Sequence, residues 1–537
     1  MTVAFVRQLG AESGLQLNPL IDSSEIPSIG NDDQVMGIAM RALRGRIDKP
    51  FKVTRSDVYK KLGKGESVRL NKRNEAFIHV VEALNNGVYE VVVQRMTTTQ
   101  AKIKWITVSN SFTYAVADAR DDDAMINIRH LGCYNDGIRV AFHADPSDDG
   151  ASPVTMVYFR AIDPDGVVVF EAKGSLDPTA RDDYNESQYL PDVITKLSDE
   201  WEMVIKEGAT VTPTSTAYGY DTFGSEKYAT SDVLLAFEEG PTVYDTQDFQ
   251  RFRSNLTATP HDYAYIAGGG ETDAEFVKQM AQLAYDTNRQ LRIDVPGDLT
   301  PEQAITKAKE WNLGSNKAAH LVHVFWAPLK TDDPIGLSGS GYYGTSALNI
   351  ALACERNARK NGKGFAPKNY PIAGREYPLS GRTRVNQMQQ LTSQQLNALA
   401  KAKINPVVYE TYTGGGRYVF RDCLTSAQVD SSLKKLISVV DMSTSIDESV
   451  TRAGKDFLQL PMQVAIKKME NFLTRLFEDA EASGWLVPSN APEMKGKASL
   501  FSVKPNEIRP YDVMDVMYWL RYDGVARQIM VTQTITR

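Results

Sequence analysis

The sequence predicts an α+β, multidomain protein in which mixed α/β core domains carry an inserted β-rich outer domain and extended N- and C-terminal strand arms. The chain of 537 residues is too long for one hydrophobic core. From residue 255 onward, predicted strands alternate with helices, which favours a partly parallel sheet. Residues 106–254 are instead rich in Thr, Val and Tyr and are interrupted by Asp-Gly and Pro-Asp turns, as in a β domain.

The first 30 residues are predicted to form an N-terminal arm. Val3 and Phe5 alternate with Ala4 and Val6, which indicates a short strand. A Gly-, Pro- and Ser-rich stretch follows and is typical of a linker.

Residues 31–105, together with 255–385, are predicted to form a middle α/β domain into which 106–254 is inserted. In the first part, a helix is indicated by apolar residues at helical spacing: Phe77, Val80, Val81 and Leu84. In the second part, the predicted elements are strand 263–267, helix 272–287, strand 291–295, helix 301–311, strand 319–326 and helix 347–358.

Residues 386–515 are predicted to form a C-terminal domain that opens with a capped helix and a hairpin. Thr392 or Ser393 can cap the helix, and Asn405-Pro406 is expected to stop it, because the residue before proline disfavours the α region. Two antiparallel strands should follow, joined by a loop that needs positive φ at Gly414-Gly415-Gly416.

A long helix is predicted over residues 461–482 in the same domain. Its apolar face consists of Met462, Ile466, Met469, Leu473 and Leu476. Its polar side carries Lys467, Lys468 and Arg475, which either bind an acidic partner or simply face solvent.

The arm at residues 516–537 ends in a predicted two-faced strand. Ile529, Val531 and Ile535 alternate with threonines over residues 525–537. Such a strand needs a partner, which lies either in its own domain or in another subunit.

Composition argues against several classes of protein. No apolar run approaches the ~18 residues of a membrane span, and the N-terminus lacks the pattern of a secretion signal, so cytoplasmic synthesis is expected. A net charge of −7 gives no reason to expect nucleic-acid binding. Cys133, Cys354 and Cys423 are odd in number and far apart, so buried free thiols are expected.

Two features are suggestive of an enzyme but incomplete. The run Gly268-Gly269-Gly270 follows a predicted strand, yet it lacks the Gly-Lys-Ser/Thr of a phosphate loop, so helix capping by Thr272 or Asp273 is favoured. His320 and His323 lie three apart on a predicted strand and should point to opposite faces, which disfavours a metal site. Neither a catalytic residue nor a cofactor is expected.

Several segments, in order along almost the whole chain, resemble the contractile bacteriophage tail sheath family. The helix and hairpin carry the strongest resemblance, through Leu391-Thr392, Ile404-Asn405, the glycine run and Leu424-Thr425. Further matching segments are Arg44-Gly45 to Phe51, Asn86-Gly87 to Arg95, Gly132 to Ile138, Asp165-Gly166 to Pro178, Tyr189 to Ile194, Ile293 to Pro296, and Ala327-Pro328.

This resemblance implies a structural subunit that polymerises as stacked hexameric rings around a tail tube and contracts to drive the tube through the host envelope for genome delivery. It implies strand exchange between subunits through Val3, Phe5, Val6, Ile529, Val531 and Ile535. It places the domain at 386–515 on the inside, with Lys467, Lys468 and Arg475 facing the tube. The implied partners are further copies, the tail tube protein, and baseplate and tail terminator proteins, in a virion tail assembled in the host cytoplasm.

Two alternatives remain open on the sequence. The chain could be the sheath of a tailocin or another phage-derived contractile injection system, which gene neighbourhood would distinguish. An α/β enzyme could instead use the loops after strands 263–267 and 291–295, where such folds place ligands.

Overall fold

The structure is a computed structural model that describes residues 31–144, 156–212 and 216–534. The predicted strand at Val3, Phe5 and Val6, as well as Ile535, lies outside the described residues.

The strands of the first half, in chain order, are β1 (Val35–Met40), β2 (Phe51–Val53), β3 (Glu90–Arg95), β4 (Lys102–Ile103), β5 (Trp105–Val108), β6 (Tyr114–Ala117), β7 (Ile126–His130), β8 (Arg139–Ala144), β9 (Met156–Ile162), β10 (Val168–Ser175), β11 (Trp201–Ile205), β12 (Ala229–Thr230) and β13 (Phe237–Glu238). Those of the second half are β14 (Tyr265–Ala267), β15 (Gln290–Val295), β16 (Val322–Trp326), β17 (Leu329–Asp332), β18 (Ser340–Tyr342), β19 (Asn386–Gln387), β20 (Ile404–Tyr412), β21 (Gly415–Phe420), β22 (Ser499–Pro505) and β23 (Met514–Leu520).

The α-helices are α1 (Val58–Leu62), α2 (Glu75–Asn85), α3 (Leu190–Leu197), α4 (Thr246–Ala258), α5 (Ala274–Thr287), α6 (Pro301–Glu310), α7 (Ser346–Asn357), α8 (Ser393–Lys401), α9 (Ile437–Phe457) and α10 (Met462–Ala482).

An eight-stranded sheet organises the largest part of the molecule, in the order β2-β3-β1-β14-β15-β16-β20-β21. Strands from β3 to β20 pair in parallel, while β2 and β21 pair antiparallel at the two edges. The mixed α/β character expected from the alternating pattern is therefore confirmed.

Helices cover both faces of this sheet, and five of its strands contribute to two cores: β1, β3, β14, β16 and β20. In β1, Met36 and Ile38 face a core shared with α2, α7, α9 and α10, while Val35 and Ala39 face a core shared with α4 and α5. This alternation follows from the two-residue period of a strand, and burial on both faces explains why the strand is apolar throughout.

Residues 105–236 form a separate β-sandwich, called the sandwich below. Its two antiparallel sheets have the orders β10-β9-β8-β12 and β11-β7-β5-β6. Side chains such as Ile128, Phe142, Phe159 and Trp201 fill the space between them. Residues 246–258, by contrast, form α4 and pack in a core of the large sheet. The division of the chain into domains stays a prediction.

Helix α9 is attached to the large sheet through a buried carboxylate. Asp441 is 1% exposed and accepts hydrogen bonds from Arg356 Nη2 at 2.8 Å, Gln290 Nε2 at 2.7 Å and Tyr265 Oη at 3.1 Å. Burial alone would raise the pKa of Asp441, but the nearby cations Arg356, Arg292 and Lys368 together hold it well below its ordinary value.

The predicted end of α8 is wrong by several residues. The helix stops at Lys401 because Lys403 takes a left-handed conformation, with φ of 60°. Asn405 and Pro406 lie within β20, where the Asn405 side chain donates to the backbone oxygens of Val324 and Leu424. The positive φ expected in the following loop occurs at Gly414 and Gly415.

Candidate functional site: an open two-stranded sheet

Strands β22 and β23 form a two-stranded antiparallel sheet that pairs in register from Ser499–Leu520 to Pro505–Met514. The connecting loop is held by Asn506, whose Oδ1 accepts from the backbone nitrogens of Ile508 at 2.9 Å and Arg509 at 3.0 Å. Within residues 31–144, 156–212 and 216–534, no third strand joins this sheet along Ser499–Pro505 or Met514–Leu520, so both outer edges are open there, and a single bridge from Leu486 to Tyr522 lies just beyond β23. Open edges present unpaired backbone groups that can accept another strand.

One face of this sheet packs against α10. The Phe477 ring lies 6.0 Å from that of Phe501 and 5.7 Å from that of Tyr518, measured between centroids. On the opposite face, Met517 is 42% exposed and Trp519 is 49% exposed. The sheet therefore has a fixed inner face, an apolar outer face and two free edges.

Helix α9 links the two-stranded sheet to the large sheet. The Tyr518 hydroxyl donates to Asp447 on α9, whose other carboxylate oxygen accepts from Asn288 Nδ2 at 3.3 Å. The next residue of the helix, Glu448, pairs with Arg289 at 2.6 Å. Burial raises the pKa of Tyr518, and the Asp447 carboxylate raises it further, so the hydroxyl stays protonated as the donor.

The segment after β23 is anchored and then becomes exposed. Arg527 Nε lies 2.7 Å from an oxygen of Asp422, and this ion pair raises the pKa of Arg527. Immediately beyond it, Ile529, Met530 and Val531 are 81%, 92% and 86% exposed. Three consecutive exposed apolar residues are unusual on a protein surface and mark an interaction site.

The strand predicted over residues 525–537 is absent from its described part, 525–534. Pairing within the chain's own domain is therefore not observed there, because no strand in the described ranges pairs with Ile529 or Val531. Exchange with another subunit is not tested by a single chain and stays a prediction.

The three cationic residues predicted on the long helix are all exposed. Lys467, Lys468 and Arg475 lie on α10 opposite its buried residues, which include Met469 and Leu473. Their predicted contact with a tube stays a prediction.

Strands β22 and β23 and the Arg527–Asp422 pair were not predicted from the sequence. The two strands carry a signal that could have been found, since Phe501 and Val503 alternate with polar residues and Asn506 and Pro510 mark a turn. The ion pair joins positions 105 apart and has no local signal.

The crevice that an α/β enzyme would use is filled by the chain's own side chains. At the end of β15, Asp294 accepts from the backbone nitrogens of Thr345 at 2.8 Å and Ser346 at 3.0 Å. Gly344 donates to Glu75 at 2.7 Å. The N-terminus of α7, which could otherwise bind an anion, is thus occupied by a carboxylate of the protein itself.

The space beside the glycine run Gly268-Gly269-Gly270, which follows β14, is also filled by a side chain of the protein. A Cβ on Gly270 would lie 2.7 Å from the Glu75 carboxylate carbon, so the loop encloses no space at this point. Asp273 caps α5 by accepting from the backbone nitrogens of Glu275 and Phe276, which confirms the predicted capping role.

The two histidines weighed as a metal pair lie close in the chain but in different environments. His320 belongs to a short turn and His323 to β16, where burial lowers the pKa of His323 to about 3. Across the part of the chain that the structure describes, no group of three or more His, Cys, Asp or Glu side chains is arranged to hold a metal ion. The three cysteines are buried and free, as expected.

A search for membrane spans gives a negative result for the described ranges: none of their helices combines the length and the apolar character needed to cross a bilayer.

No family model matches the sequence, and no curated protein is similar to it. Among solved structures, the chain is similar to one in the contracted anti-feeding prophage (AFP) baseplate, with 12% identity, a TM-score of 0.50 and 98% of each chain covered. A sheath tail protein from Desulfitobacterium hafniense is 10% identical, with a TM-score of 0.49, over 92% of this chain and 96% of its own. A chain of the contracted sheath complex of the extracellular contractile injection system PVC is 16% identical, with a TM-score of 0.40, over 52% of this chain and 74% of its own.

Over almost its whole length, the chain has the fold of a component of the contracted AFP assembly. At 12% identity, this likeness shows the fold alone.

Proposed function

We propose that this chain is the sheath subunit of a contractile tail, which polymerises as stacked hexameric rings around a tail tube and contracts to drive the tube through a host envelope. The observation that carries the proposal is the open two-stranded sheet β22–β23 together with the exposed apolar segment at Ile529–Val531. A strand donor and a strand acceptor in the same subunit can link identical copies without limit.

The proposed contact is addition of a strand from one subunit to an edge of β22–β23 in the next. A strand of this length forms roughly five backbone hydrogen bonds, each with a net contribution of about 0.5–1.5 kcal/mol. Main-chain pairing of this kind does not depend on how the globular surfaces pack, so it can persist while subunits move. Contraction then needs no bound fuel, since the energy lies in the difference between two packings of the same subunits.

Electron microscopy of the purified protein tests the proposal. We expect hollow tubes with a helical repeat from the wild-type protein. The double variant Ile529→Asp and Val531→Asp should fold but form no tubes, because the two charges would lie on the apolar side of the exchanged strand. The matched control is Thr532→Asp with Thr534→Asp, which adds the same charge to the other side and should retain tubes. Monodisperse wild-type particles, both alone and with tail tube protein, would contradict the proposal.

A tailocin or another phage-derived injection system is the alternative within the same mechanics, and the likeness to an AFP chain supports it. In that case the subunit works in the same way but delivers no genome.

A further inference from the structure

The sandwich is built as a unit that is distinct from the rest of the chain, which is called the body below. Among the described residues, its buried core draws only on positions between Ile106 and Ala236, while the two cores of the body contain none of these. Two chain segments connect the units, and they pair as the ribbon β4–β13, in which Ile103 lies opposite Phe237. This ribbon is called the neck. Units with separate cores move relative to each other unless a large apolar interface joins them.

Beside the neck, one contact between the units is buried and polar. Arg95 is 0% exposed, and its guanidinium donates to the Asn135 side chain at 3.0 Å and to the Cys133 backbone oxygen. Backbone hydrogen bonds flank it, from Gly45 to Gly132 at 2.7 Å and from Asn135 to Leu43 at 2.9 Å. The loop at residues 132–135 and Arg95 are together called the pivot.

The remaining charged contacts between the units have opposite signs on the two sides. The body provides cations and the sandwich provides carboxylates: Arg44 with Asp136 and Asp163, Arg46 and Lys49 with Asp199, and Lys64 with Asp165. Of these side chains, Lys49, Lys64, Asp165 and Asp199 are 53%, 72%, 47% and 66% exposed. The pairs Lys49–Asp199, at 2.6 Å, and Lys64–Asp165, at 2.8 Å, are called the latch.

A cleft of 620 Å³ lies between the units, and Asp199 of the latch lines it. Its walls come from Phe51 and Lys60 of the body and from His130, Phe170 and Trp201 of the sandwich. Solvent can therefore enter between the two units, so the latch pairs are screened by salt and contribute little individually.

We propose that the sandwich turns on the pivot and neck as a rigid unit, and that the latch holds it in the closed position seen here. Breaking the latch widens the cleft and leaves the two units folded. The inference is independent of polymerisation, because it concerns contacts within one chain.

Spin labels across the cleft test this. Lys60→Cys and Leu197→Cys both lie at the cleft surface and are exposed, while the three native cysteines are buried. The distance between the labels should lengthen and its distribution broaden between 0.1 M and 1 M salt, where the screening length falls from about 10 Å to about 3 Å. This measurement needs no change to the latch itself.

Variants make the test specific. Asp165→Lys with Asp199→Lys should give the open distribution at low salt. The exchange Lys64→Asp with Asp165→Lys should keep the closed one, because it restores a pair. Glu171→Lys is the control, since its partner Arg160 belongs to the same sandwich. A distribution unchanged by salt and by the latch variant would overturn the proposal, as would an equal change in the control.

Discussion

At the scale of single residues, the buried carboxylate Asp441 occupies a position that no local sequence pattern marks. Asp441 sits in an amphipathic helix, and its partners Arg356 and Gln290 come from distant parts of the chain. The surrounding cations stabilise the ionised form of this buried carboxylate. Removing its charge leaves those buried cations without a counter-charge.

Asp441→Asn should therefore lower the free energy of unfolding by about 3–5 kcal/mol at neutral pH, because it leaves buried cations without a counter-charge. Denaturant unfolding of the subunit measures this. Asp512→Asn, at an exposed pair with Arg509, is the matched control and should change the unfolding free energy far less.

The same variant has a defined pH dependence. The pKa of Asp441 is lowered in the folded state, so its stabilisation is present above the unfolded-state value of about 3.9 and is lost as the pH falls. The difference between wild type and Asp441→Asn should be constant near neutral pH and shrink only below about pH 4. A difference that shrinks instead toward high pH would contradict this assignment.

At the scale of elements, α9 is the connection between the open sheet and the large sheet. It binds Tyr518 through Asp447 on one side and Arg289 through Glu448 on the other. Force applied to a strand that pairs with an edge of β22–β23, as proposed, would therefore reach the large sheet through α9.

Tyr518→Phe removes the hydroxyl donor and keeps the ring on Phe477. We expect the free energy of unfolding to fall by about 1.5–3 kcal/mol, the range typical of a hydrogen bond to a charged group. Amide hydrogen exchange measures the effect at the site, and it should become faster in β22 and β23. Tyr511→Phe, at a loop position that is 94% exposed, should leave the exchange of both strands unchanged.

The elements also show what a sequence can predict. Helices α5 and α10 each bury one face, which apolar periodicity predicts, whereas α7 is buried on nearly all sides. The observed bounds of α5, α6, α7 and α10 differ from the predicted ones by only one or two residues. The end of α8 could not be predicted, because the left-handed Lys403 carries no glycine signal. Strands β22 and β23 show an alternation that can be read from the sequence. Whether their outer edges are paired depends on where the other strands lie, for which there is no local signal.

At the scale of the whole molecule, the exposed cations of α10 and the open sheet lie on neighbouring elements. We predict that reversing the charges of Lys467, Lys468 and Arg475 abolishes co-assembly with tail tube protein and leaves polymerisation of the free sheath intact. Co-sedimentation of tubes with sheath measures the first, and electron microscopy the second.

A matched triple reversal at Arg120, Lys206 and Lys227, all exposed on the sandwich, controls for the change in net charge. If the charge-reversed α10 variant still binds the tube, the predicted contact between these three cations and the tube is wrong. Equal loss in the sandwich variant would show that net charge alone is responsible.

The pair of Arg527 and Asp422 also limits how far apart two linked copies can be. Val531 follows Arg527 by four positions, and a fully extended chain spans at most about 3.3–3.6 Å per residue. The apolar segment therefore reaches no more than about 14 Å from its anchor. If this segment pairs with a neighbouring sheet as proposed, that sheet has to stay within the short tether while the anchor holds, so the ion pair would limit subunit spacing in the proposed polymer.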